Sequence, residues 1–167
     1  MSTVARTSPK AGGMTAADWI ILAGAATYLG WTVAPNWYRV GGGTAFGIPL
    51  PSYTFNGWRG TTMFAALAAI GAIAWLGLRL GGVRPGTLEP TVVDLILGAG
   101  GLVLTLLGPI LRPATGLGEA SVSWALPVAT LIALAWAYGA LRKYRERRSS
   151  QRSRAVGGSG FAERVRP

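Results

Sequence analysis

The chain has 167 residues, half of them hydrophobic and only 13% charged, with a formal net charge of +10. It has no cysteine and no histidine. That removes disulfides, thiolate zinc sites and cysteine nucleophiles, along with the commonest general base and haem ligand, so the expectation is no enzyme, no metal and no cofactor.

Residues 1–14 are small and polar and are expected to form a disordered cytoplasmic tail. Thr15-Ala-Ala-Asp18 then reads as a capping box, with the threonine hydroxyl and the aspartate carboxylate each satisfying a first-turn amide. It opens the first of four apolar stretches, at about 16–36, 60–79, 91–111 and 121–142. Each is near the ~20 residues that carry a helix across a ~30 Å hydrocarbon core. The predicted fold is all-α, a four-helix transmembrane bundle over 15–148 with a longer first external loop and a disordered basic tail over 149–167.

The first external loop is the most distinctive segment. Pro35 ends the first span, and Trp37 and Tyr38 follow it. Gly41-Gly42-Gly43 is a flexible turn. Phe46, Ile48 and Leu50 alternate, as do Tyr53 and Phe55, which predicts short extended pieces or a hairpin lying on the bundle. Pro49 and Pro51 argue against a regular central strand. A loop this apolar is expected to fold onto the bilayer surface or to meet a partner. Trp37, Tyr38, Phe46, Tyr53, Phe55 and Trp58 are the candidate partner surface.

Thr91-Val-Val-Asp94 repeats the capping pattern behind Pro90. Capping is the favoured role for both acids, ahead of proton or ion handling, because each lies near a predicted interface. On that reading Asp94→Asn leaves folding nearly intact. Small residues four apart, such as Ala26 and Gly30 or Ala129 and Ala133, let helices approach closely. A homo-oligomer is compatible with them and not required. Trp19, Trp31, Trp58, Trp75, Trp124 and Trp136 lie near predicted span ends, and Tyr138 and Tyr144 extend the pattern, as an aromatic belt would.

Charge orients the spans. Thirteen of the sixteen basic residues fall in the two tails and the second loop, which share one side. The positive-inside rule therefore makes this a multi-pass cell-membrane protein with both termini cytoplasmic. Arg142, Lys143, Arg145, Arg147 and Arg148 follow the last span directly and are expected to contact anionic lipid headgroups. This position beside a span accounts for the basic cluster without nucleic acid.

Pro35-Asn36-Trp37-Tyr38-Arg39-Val40 and Phe55-Asn56-Gly57-Trp58-Arg59-Gly60 frame the first loop. In these residues and in its span layout the chain resembles a loose group of small four-span membrane proteins from high-GC actinobacteria. Asn36 interrupts the Pro-Trp pair of that pattern. The resemblance implies a four-span fold and supplies no activity or catalytic residue. Claudin-like proteins share the plan, but the paired cysteines of their first loop are missing here.

The expected function is a non-enzymatic membrane scaffold or accessory subunit with a protein partner in the membrane. The alternative is a small channel, holin-like pore or transporter component. Mid-span polarity is nearly confined to Thr27, Thr105 and Thr130, which argues against a polar pathway. A lipid-acting enzyme would have to use Glu89, Asp94 and Arg84, or Glu119 and Arg112, and these form no recognised motif.

Overall fold

A computed structural model describes residues 13–33, 36–83, 88–111 and 121–162, with side chains to Ser153. The expected tail over 1–12, the loop residues Pro35, Arg84, Arg112 and Glu119, and residues 163–167 lie outside the described residues. Four helices dominate: α1 (Ala16–Val33), α2 (Thr61–Leu80), α3 (Pro90–Leu107) and α4 (Ala125–Ala162). Of these, α2, α3 and the Ala125–Ser153 part of α4 are long and apolar enough to cross a membrane.

Each helix buries one stripe. In α1 it is Ala17, Asp18, Ile21, Ala25, Tyr28 and Thr32, and in α2 it is Thr62, Ala65, Ala66, Ala69, Ala72 and Leu76. The three-to-four spacing is that of a helix face. Contacts run α1–α2, α2–α3, α3–α4 and α4–α1, so the helices form a closed ring. The side chains are sorted by size. Alanines fill much of the interior, while Phe64, Leu67, Ile70, Ile96, Val103 and Leu131 point outward and exposed. Small residues inside and large apolar ones outside suit close helix approach within an apolar solvent.

Trp136 of α4 explains why glycines stand opposite it. A methyl group on Gly101 would lie 2.4 Å from its ring, and one on Gly24 would lie 2.8 Å from its Cβ. The indole, fully buried, thus occupies the space that α1 and α3 vacate. Tyr28 packs between Trp136 and Trp37, with ring centroids 6.2 and 6.0 Å away. The three rings make an aromatic column inside the bundle. Thr105 Oγ1 donates to the carbonyl of Gly101 at 2.7 Å, so the Tyr28 hydroxyl, 2.7 Å from that oxygen, is the donor to it. Because Thr105 keeps its backbone bond, Tyr28→Phe should cost only about 0.5–1.5 kcal/mol in a detergent unfolding titration.

The fold is mostly helical, but a small sheet amends the all-α expectation. Strands β1 (Tyr38–Gly41), β2 (Thr44–Ala45), β3 (Ile48–Pro49) and β4 (Ser52–Phe55) lie in the first loop, and β5 (Ser121–Val122) precedes α4. The three-stranded sheet has the order β4-β1-β5, with Tyr38 opposite both Phe55 and Val122. β2 and β3 form a separate hairpin, with Ala45 opposite Ile48. The alternation in the sequence pointed to extended pieces here. It gave no sign of the third strand, two residues long and supplied by another loop.

The sheet closes one end of the helix ring. Trp37 and Tyr38 are fully buried, and Val40 is 1% exposed. The Trp37 indole donates to the Trp31 carbonyl at 3.1 Å, and its ring leaves room only for glycine at position 57. Gly57 N–H donates to Thr32 O and Ser123 N–H to Trp37 O, which ties the sheet to α1 and α4. Burial pushes the Tyr38 phenol above its ordinary value of 10.0, so its ring stays uncharged.

At the other end α4 differs from expectation. It continues as one helix to Ala162, so residues 149–162 are helical where a disordered tail was predicted. Arg142 pairs with Glu146 at 2.8 Å, one turn on, and Ser149 and Ser150 both donate to the Glu146 carbonyl. The Arg142–Glu146 pair lends the start of this polar extension modest helical support.

Candidate functional site

Where the two capping boxes were expected, the structure shows a four-cornered charge cluster. Asp18 comes from α1, Arg79 from α2, Asp94 from α3 and Lys143 from α4. Each helix contributes one charge. Alternating directions bring them together, since the starts of α1 and α3 meet the end of α2 and the stretch of α4 beyond its apolar part.

Asp18 serves two purposes. Its Oδ2 accepts from the Thr15 amide and hydroxyl, both at 2.9 Å, while the Asp18 amide donates to Thr15 Oγ1 at 3.2 Å. The first capping box is therefore present. Its Oδ1 accepts a close charge-assisted bond from Arg79 Nη2 and lies 2.6 Å from Lys143 Nζ. One carboxylate thus starts a helix and joins it to two others.

Asp94 does not cap. The N-cap of α3 is Glu89, and Pro90 begins the helix one residue ahead of Thr91. Proline suits the first helical position, so it moves the start upstream and leaves Thr91 inside the first turn. The Thr91 hydroxyl donates to Glu89 Oε1 at 3.1 Å rather than serving Asp94. Asp94 falls on the buried stripe, where Oδ2 lies 3.2 Å from Arg79 Nη1 and 2.5 Å from Lys143 Nζ. Its Oδ1 is buried and has no hydrogen-bond partner among the described residues.

Side-chain exposure is 21% for Arg79, 11% for Lys143, 6% for Asp18 and 1% for Asp94. Two acids and two bases balance to zero, and each acid touches both bases. The arrangement is that of an ionic clasp between four helices. A charge there is held by its opposites and not by water, so losing one member uncovers the rest.

Lys143 is accordingly removed from the expected lipid-contact set. Its stem reaches inward and its ammonium is taken by the two aspartates. The other four fit an exposed basic face. Arg142 and Arg145 are exposed, Arg147 lies 3.5 Å from Glu89, and the Arg148 guanidinium stacks 4.9 Å over the Tyr144 ring. Trp37 and Tyr38 leave the partner-surface set for the same kind of reason: both are interior residues under the sheet. Phe46 is fully exposed and Tyr53 is 49% exposed. Phe55 and Trp58 are half-buried, with Arg59 stacked 4.7 Å over the Phe55 ring.

On the outer face of the sheet, Asn36, Arg39, Thr54, Ser121 and Trp124 line an open cavity of about 340 Å³. Among the described residues no group of three or more acidic side chains is placed to hold a metal. No family model matches this chain, and neither a curated protein nor a solved structure is found to be similar to it.

Proposed function

We propose that this chain is a four-span integral membrane protein, with both termini cytoplasmic, that acts as a non-enzymatic scaffold or accessory subunit. α1 is the span that composition leaves in doubt. Its 18 residues extend about 27 Å, close to the thickness of the hydrocarbon core. Its one charge, Asp18, is neutralised by Arg79 and Lys143, which lowers the cost of placing it near the membrane. α1 also packs on both α2 and α4, so it belongs to the same body as the three apolar helices.

The closed interior carries the functional reading. Trp136, Tyr28 and Trp37 fill the bundle with no exposed surface, and the charges at its end are matched. Such an interior supports packing and leaves little for a solute to follow. A partner then meets the outside of the molecule: the apolar helix faces within the membrane, and the sheet with its cavity beside Arg39.

The unpaired Asp94 Oδ1 favours the second reading, a transporter or channel component. Extraction from native membranes in mild detergent is expected to bring down a stoichiometric protein partner. The purified chain in liposomes is expected to pass no more ions than empty vesicles. Selective, saturable flux at physiological voltage would reject the scaffold in favour of the second reading.

A further inference from the structure

The sheet that closes the bundle is wider than what it covers. Antiparallel partners share a face, so Tyr53, opposite Val40, and Phe55, opposite Tyr38, point the same way as those two residues. That face looks toward the helices, because Tyr38 and Val40 are buried against the bundle. Packing by a face, not by an end, lays the β1–β4 ladder across the bundle. Yet Tyr53 on that same face is 49% exposed, so the helices beneath it have run out. Beyond this point residues 41–54 are exposed apart from half-buried Ala45.

The overhanging segment is apolar and uncharged. No charged residue lies between Arg39 and Arg59. Phe46, at the turn of the hairpin, is 105% exposed and has a φ of 53°, a backbone conformation rare for anything but glycine. Ile48 is 66% exposed and Leu50 48%. Held in water, this tip would present phenylalanine, isoleucine and leucine with no cover among the described residues. The helices it is joined to in the chain, α1 ending at Val33 and α2 beginning at Thr61, also carry exposed apolar residues at these ends, Val33 and Phe64.

We propose that the β2–β3 hairpin is a lipid anchor: Phe46, Ile48 and Leu50, with Tyr53 behind them, rest in the outer-leaflet interface of the bilayer beside the bundle. The proposal rests on the four-span reading, which puts the sheet at the external membrane surface. Aromatic rings favour the headgroup zone, and the lack of charge removes the main cost of entering it. The occupant is lipid, not a second protein, because the segment is uncharged and is tethered between the ends of two helices whose exteriors are themselves apolar. The opposite face of the sheet, carrying Arg39, stays in water.

The chain has no cysteine, so single-cysteine spin labels report cleanly. Phe46→Cys and Ile48→Cys would be labelled in nanodiscs, with Arg39→Cys as the water reference and Leu131→Cys, on the exposed face of α4, as the lipid reference. The expected result is an oxygen-to-nickel accessibility ratio several-fold higher at 46 and 48 than at 39. A ratio at 46 equal to that at 39 overturns the anchor. Spin–spin broadening at 46 overturns it too, in favour of contact with a second copy. A water-like ratio at Leu131 would reject the four-span reading itself, so the two failures are distinguishable.

Discussion

Asp94→Asn is expected to destabilise the protein by about 3–5 kcal/mol, the usual result of removing one partner from a buried ion pair. Arg79 and Lys143 would then share Asp18 alone, leaving a net positive charge among groups that have little access to water. The loss would appear as an earlier midpoint in denaturant unfolding of the detergent-solubilised protein. Lys143→Met in the same chain should recover part of it, since Asp18 and Arg79 would again balance. The double variant should therefore lose less than the sum of the single ones. A loss below about 0.5 kcal/mol, typical of surface substitutions, would mean that water and not the clasp satisfies Asp94.

Trp136→Ala should cost a similar amount, about 3–5 kcal/mol, because it empties the largest interior site on α4. The glycines facing this residue permit a sharper comparison. Gly→Ala inside a helix ordinarily stabilises by up to about 1 kcal/mol. Gly100→Ala should follow that rule, as nothing lies within 4 Å of its added methyl. Gly101→Ala should reverse it and destabilise by about 1–3 kcal/mol, because the methyl meets the indole at 2.4 Å. In a Trp136→Leu background the penalty at Gly101 should shrink. Equal signs for the two neighbouring glycines would show that the indole is not held between α1 and α3.

The helices were legible in the sequence because hydropathy over about 20 residues is a strong, local signal. Their ends were harder to place. Pro90 moved the start of α3 and turned a capping motif into a buried charge. The clasp was not legible, because each of its members had a sufficient local explanation. Asp18 and Asp94 looked like caps, Arg79 like a loop residue and Lys143 like part of a basic tail. Their partners lie 61 and 49 residues away in the chain. One signal was present: all four charges fall at the same predicted side of the membrane, two of each sign. The anchor was partly legible, since alternation at 46, 48 and 50 marked an extended apolar segment. The burial of Trp37 and Tyr38 was not, because aromatics at a span end read equally well as an interfacial belt.

The strand from the last loop has a consequence for synthesis. β1 is the middle strand of its sheet, and one of its neighbours, β5, emerges more than 80 residues later. The α1–α4 contact likewise joins the first helix made to the last. Neither can form until the ribosome has delivered α4, so the molecule closes at both ends in one late, long-range step. Before that step the clasp lacks Lys143 and carries an excess negative charge, and β1 has neither β5 beside it nor the Ser123 amide on the Trp37 carbonyl. A chain halted before α4 thus lacks the contacts that close the bundle at both ends, the Lys143 corner of the clasp and the outer strand of the sheet.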